Sequence, residues 1–185
     1  MKYTIFYLAL LVGIAIHTSC KKDPILPSAT QSGANTFGCK VNGEIWIPDG
    51  RGGINGVKAI DNVFLNNALP GQPVDISLWI TAYKSDGSSV DLYLRSPSRT
   101  GEYPLNKTTG IKPNLIFPAD YGFFSRNKYY VTDSLHTGKI TITKVDIPNR
   151  LIAGTFEYTA SNPITKETTT VTEGRFDINA LTLFK

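Results

Sequence analysis

The chain holds two histidines, His17 inside an N-terminal apolar run and His136 in "DSLHTG", where Asp133, Ser134 and His136 set an acid, a hydroxyl and an imidazole close together. Hydrolytic triads are assembled from separated segments, and no G-x-S-x-G elbow occurs here, so catalysis at His136 is not expected. No second histidine or cysteine lies at ligand spacing from it, which argues against zinc. The aspartates never form the D-x-[DN]-x-[DN]-G loop that wraps calcium. "PDGRGGING", from Pro48 to Gly56, is rich in glycine but lacks the Lys-Ser/Thr of a phosphate loop and a strand-to-helix setting, and reads as a surface loop. No metal, cofactor or catalytic group is therefore expected.

Asp75, Asp91, Glu102, Asp120, Asp133, Glu157, Glu173 and Asp177 are scattered along the chain. Any two could converge as a glycosidase pair, but most fall at alternating strand positions and read as the solvated face of a sheet. A hydrolase with unrecognised carboxylates is the least favoured function. Aromatic residues give better binding candidates. Trp46 neighbours the glycine-rich loop, Trp79 and Tyr93 belong to one hairpin, and Tyr129 lies in "YGFFSRNKYY", a hairpin pattern turning at "SRNK". Such rings stack on sugars or peptides if exposed, or join strands by cross-strand packing if covered; packing is the favoured reading for Trp79 and Tyr93.

These side chains must be positioned by strands. "PVDISLWITAYKSDGSSVDLYLRS" alternates Val74, Ile76, Leu78, Ile80 and Ala82 with polar or aromatic residues, then Val90, Leu92 and Leu94 likewise. A two-residue Asp86-Gly87 loop would mix the faces of the two strands. A three-residue Ser85-Asp86-Gly87 loop with Gly87 left-handed instead pairs Ala82 with Val90, Ile80 with Leu92 and Leu78 with Leu94, and sets Trp79 opposite Tyr93. "CKVNGEIWI" reads as a tight hairpin turning at Asn42-Gly43. "GKITITKV", "LIAGTFEYTA" and "TTTVTEGRFDI" form a meander, and the parity change between Val171 and Phe176 calls for a bulge near Glu173-Gly174. The expected fold is all-β, an antiparallel β-sandwich, with a lipocalin-like β-barrel as the alternative.

The N-terminus bears on location. Lys2 followed by apolar Ile5 to Ile16 has the form of an export signal, and it is too short for a membrane span of about 20 residues. Thr18-Ser19-Cys20 resembles the lipobox of bacterial lipoproteins. The expected division is a signal peptide over 1–19, a lipidated Cys20 with a flexible tether over 20–34, and a single β domain over 35–185. Lys21 to Ala34, "KKDPILPSATQSGA", has no periodicity and extended could reach about 45 Å. Lipidation of Cys20 leaves Cys39 without an intramolecular partner, as a small buried hydrophobe; without lipidation a Cys20–Cys39 bridge becomes possible. Removing residues 1–19 lowers the formal charge from +4 to +3, too mild and dispersed for nucleic acid.

"NTFGCKVNGEIW", "RTGEYPL" and the three C-terminal strands together resemble an uncharacterised family of small Bacteroidota lipoproteins, over roughly Asn35 to Ile178. That resemblance implies an all-β domain on a lipid tether and assigns no activity or site residue. The function expected is an outer-membrane lipoprotein, a noncatalytic binding module for glycan or protein at the cell surface. The alternative is a structural envelope subunit whose partner is another protein.

Overall fold

The computed structural model describes residues 24–50, 59–66, 76–95, 97–107 and 120–183. Cys20 and most of the glycine-rich loop lie outside them. The described residues form eleven strands and no helix: β1 (Thr36–Val41), β2 (Glu44–Trp46), β3 (Ile60–Asn66), β4 (Ile76–Tyr83), β5 (Ser89–Arg95), β6 (Gly101–Leu105), β7 (Tyr121–Arg126), β8 (Lys128–Val131), β9 (Gly138–Asp146), β10 (Leu151–Ser161) and β11 (Thr168–Asn179). All pairings are antiparallel, in the order β2-β1-β11-β10-β8-β7-β5-β4-β3, with β9 on β10 and β6 on β9.

β10 is the branch point. Leu151–Tyr158 pair with β9 along one edge, whereas Ser161 at the end of the strand pairs with Val131 of β8. One long strand thus feeds two groups of strands, which turn their apolar faces towards each other. Leu78, Ile80, Val90, Leu92 and Phe124 from β4, β5 and β7 meet Phe37, Ile140, Ile152, Phe156 and Ile178 from β1, β9, β10 and β11 in one buried cluster. Full burial of each such side chain contributes about 1.5–3 kcal/mol, so this shared core outweighs any single turn or ion pair. Among the described residues β2 and β3 end the strand order without pairing to each other, so the sheet is open and folds over on itself, in keeping with a β-sandwich or a barrel-like fold.

The hairpin registers follow the alternation. Ala82 faces Val90, Ile80 faces Leu92, Leu78 faces Leu94 and Trp79 faces Tyr93, around a loop with Gly87 at φ +85°. Asn42 and Gly43, both at positive φ, close β1 onto β2 with Val41 opposite Glu44. The bulge lies where the parity change requires it: Phe156 faces Gly174 and Tyr158 faces Val171, with Glu173 at φ +50°. Gly138 has a different role. A methyl there would stand 2.2 Å from the Glu157 carbonyl oxygen and from Tyr158 Cβ, so only glycine lets β9 approach the β10 backbone so closely. Strands β3 and β6 are additions to the pattern read from sequence.

The expected tether is not free along its length. Asp177 lies on the outer side of β11 yet is only 1% exposed, because residues 30–34 fold over it. Its carboxylate accepts hydrogen bonds from the Thr30 hydroxyl (2.6 Å), the Ser32 amide (2.9 Å) and hydroxyl (3.3 Å), and the amides of Gly33 (2.7 Å) and Ala34 (3.2 Å). Arg175 Nη1 donates to the Pro27 carbonyl at 3.3 Å, and the Pro27 ring packs on Gly38. Residues 27–34 of the expected tether thus make hydrogen bonds and packing contacts with β1 and β11. Their composition showed no periodicity, but their short hydroxyl side chains and free amides match a carboxylate that the sheet supplies from 143 to 147 residues away.

Candidate functional site

Three turns converge at one end of the folded sheet: the Asn42-Gly43 turn, the 84–88 loop and the tight β7–β8 turn at Asn127, which has φ +61°. Between them lies a cavity of about 350 Å³, lined by Glu44, Trp46, Lys84, Asp86, Ser88, Phe124, Arg126 and Tyr130 among others. The turn residues supply the charges and the strand residues supply the rings. Phe124 and Tyr130 are cross-strand partners, their ring centroids 6.2 Å apart.

A polar relay fixes the floor. Trp46 is only 5% exposed, and its indole Nε1 donates to Ser88 Oγ at 2.7 Å. Ser88 Oγ donates in turn to Asp86 Oδ1, which also accepts the Ser88 amide at 2.9 Å. The loop is held from outside as well, since Asp49 accepts the Ser85 amide and hydroxyl. Asp86 Oδ2 stands 3.6 Å from Arg126 Nη2, with the side chains 30% and 59% exposed. Partial burial pushes the Asp86 carboxyl up, but the Ser88 hydroxyl and amide with Arg126 and Lys84 outweigh it and hold it below the usual carboxylate range. The carboxylate is therefore ionised; among the described residues its hydrogen bonds run to Oδ1, while Oδ2 meets Arg126 at ion-pair distance.

This arrangement offers donors, an acceptor and apolar walls, but no nucleophile held by a base. The Asp133 cluster is not catalytic geometry either. Asp133 stands between the other groups: His136 Nδ1 lies 3.1 Å from both carboxylate oxygens, and Ser161 Oγ donates to Oδ2 at 3.0 Å. A triad needs the imidazole between hydroxyl and carboxylate. Asp133 also accepts the amides of Leu135 and His136, so it closes a turn. Burial is the largest single influence and raises its carboxyl, but the hydrogen bonds from His136, Leu135 and Ser161 together outweigh it, leaving it at about 2. Among the described residues no group of three or more His, Cys, Asp or Glu side chains could hold a metal ion. Cys39 is fully buried and its thiol is pushed up to about 12 by that burial, the state of a structural residue.

Of the four aromatic candidates, only Trp46 lies at the cavity. Trp79, Tyr93 and Tyr129 belong to the opposite face of the β4-β5-β7-β8 strands. There Tyr93 is 4% exposed, stacks on Tyr121 with centroids 5.6 Å apart, and donates its hydroxyl to Ser77 Oγ at 3.3 Å. Tyr129 stacks on Phe123 at 6.4 Å. At Tyr93 the neighbours cover the ring, the packed arrangement favoured for this pair from the sequence. The cavity residues that sequence reasoning missed, Lys84, Asp86 and Ser88, read as ordinary turn chemistry, whereas Arg126 belongs to the aromatic and basic stretch "YGFFSRNKYY". These are the tips of two hairpins, and no pattern along the chain shows that those tips meet.

The outer face of β9, β10 and β11 is solvated, as the alternation implied. Glu102, Glu157 and Glu173 are exposed there, with Lys139 Nζ 3.3 Å from Glu102 and Lys40 Nζ 2.5 Å from Glu173. Asp177 is the exception.

The fold and cavity thus define an antiparallel all-β domain with one polar, aromatic-walled recess at its turn end. Residues 72–177 match the family model described as Domain of unknown function (DUF6252), and the chain belongs to that family. The match spans β4 to the end of the β11 core, so it includes Lys84, Asp86, Ser88 and Arg126, while Trp46 and Glu44 come from outside it. Searches of curated proteins and of solved structures found no match.

Proposed function

We propose that this chain is a noncatalytic binding module, held at the outer membrane through a lipidated Cys20, which meets a glycan or protein at the cell surface. The lipobox-like Thr18-Ser19-Cys20 and the resemblance to small lipoproteins of Bacteroidota support the location. The cavity bounded by Trp46, Phe124, Tyr130, Asp86 and Arg126 is the observation that carries the binding role. It joins aromatic side chains to a few oriented polar groups, the make-up of a ligand site. The sequence from Pro24 to Ala34 then acts less as a loose spacer than as a strap lying along the domain.

The test has two arms. Intact mass of the membrane-extracted chain should match an acylated chain beginning at Cys20, and protease applied to whole cells should release the domain. An unmodified N-terminus or full protection from protease would refute the surface location. Stoichiometric co-purification with one envelope protein, insensitive to substitution in the cavity, would replace the binding module with a structural subunit.

A further inference from the structure

We infer that the recess at the turn end takes a saccharide, gripping a vicinal diol between Asp86 and Arg126 with the sugar ring against the half-buried Tyr130. This rests on the binding-module reading and names the ligand class of the same site. Asp86 Oδ1 is consumed by Ser88, and the Trp46–Ser88 contact keeps the loop from turning it away. Oδ2 and Arg126 Nη2 stand 3.6 Å apart, beyond a good direct hydrogen bond. An acceptor and a donor are thus presented side by side, each with capacity left over.

Adjacent sugar hydroxyls match that pair. One O–H donates to the carboxylate, and the neighbouring hydroxyl oxygen accepts from the guanidinium. The C–H faces of a pyranose are apolar and suit the walls. An anionic ligand fits less well, because Glu44 and Asp86 balance Lys84 and Arg126 around the recess. An apolar peptide side chain would leave the Asp86–Arg126 pair covered without partners. Arg126 is more than half exposed, and exposed ion pairs contribute little to stability, so its removal should leave the fold intact.

The experiment titrates the detergent-solubilised full chain with a panel of neutral oligosaccharides and with mixed-sequence peptides, following the Trp46 indole N–H resonance and heat of binding. The expected result is binding of at least one saccharide, with affinity at least tenfold lower for Arg126→Ala, for Asp86→Asn, and for a sugar methylated on the vicinal hydroxyls. Arg126→Ala should keep the wild-type melting temperature, which separates lost contact from lost fold. A saccharide that binds Arg126→Ala or its methylated form equally well overturns the diol grip. A peptide that shifts Trp46 while no saccharide does overturns the ligand class and leaves the binding module standing. No response from either panel removes both.

Discussion

Two aspartates, both on β-hairpin machinery, are used in opposite ways. Asp177 accepts five hydrogen bonds from residues 30–34 and is closed to solvent. Asp86 is held by Ser88 through one oxygen and turns the other towards Arg126 and an open recess. A carboxylate whose acceptors are all filled from within the chain is architecture. One held by hydrogen bonds through a single oxygen, with the other at ion-pair distance from an exposed arginine, is set up to meet something from outside. The strap end and the recess end differ in that respect more than in composition.

The sharpest way to break the comparison is to remove both carboxylates in turn. Asp177→Ala should cost about 2–4 kcal/mol in urea denaturation, since hydrogen bonds to a charged acceptor contribute about 1.5–3 kcal/mol and five of them are lost together. Asp86→Ala should cost about 1 kcal/mol. Equal costs would mean that the two sites are structurally alike. Protease cutting within 24–34 should accelerate in Asp177→Ala and stay unchanged in Asp86→Ala.

Acid sharpens the contrast further. The folded-state carboxyl of Asp177 is lowered: burial raises it, but Thr30 and the amides of Gly33, Ala34 and Ser32 prevail; Asp133 sits at about 2. Groups depressed in the folded state contribute stability that is fully present above the unfolded value of about 3.9 and is lost as pH falls through the folded value. Stability should therefore drop between roughly pH 4 and 2. Asp133→Asn and Asp177→Asn should each flatten that acid limb, and an unchanged limb in both would contradict their assigned partners.

Smaller effects should follow on the packed aromatic face. Tyr93→Phe removes one buried hydroxyl bond to Ser77 and should cost about 0.5–1.5 kcal/mol without altering ligand affinity. Smallest of all, Arg126→Ala should change stability by less than about 0.5 kcal/mol, as exposed ion pairs contribute little.

Local pattern made the strands legible, and distance in sequence hid the rest. The β4–β5 register and the Glu173-Gly174 bulge could be read because a one-residue slip would turn a whole apolar set outwards. The strap could not, because Asp177 looks like any outward strand carboxylate until residues 30–34 are laid over it. The recess was hidden for a related reason. Lys84, Asp86 and Arg126 sit on the β4–β5 and β7–β8 turns, and only the pairing of β5 with β7, Val90 facing Phe124, brings those turns together. Trp46 was found because it neighbours the glycine-rich loop, whereas Trp79 and Tyr93 were proposed as a cross-strand pair set by the hairpin register and serve the other face.

The most direct measurement pairs saccharide affinity with melting temperature for the full chain and for Arg126→Ala and Asp177→Ala. The account predicts that Arg126→Ala loses at least tenfold in affinity at an unchanged melting temperature, while Asp177→Ala melts lower yet binds normally when folded. Undiminished affinity in Arg126→Ala, or lost affinity in folded Asp177→Ala, would contradict it.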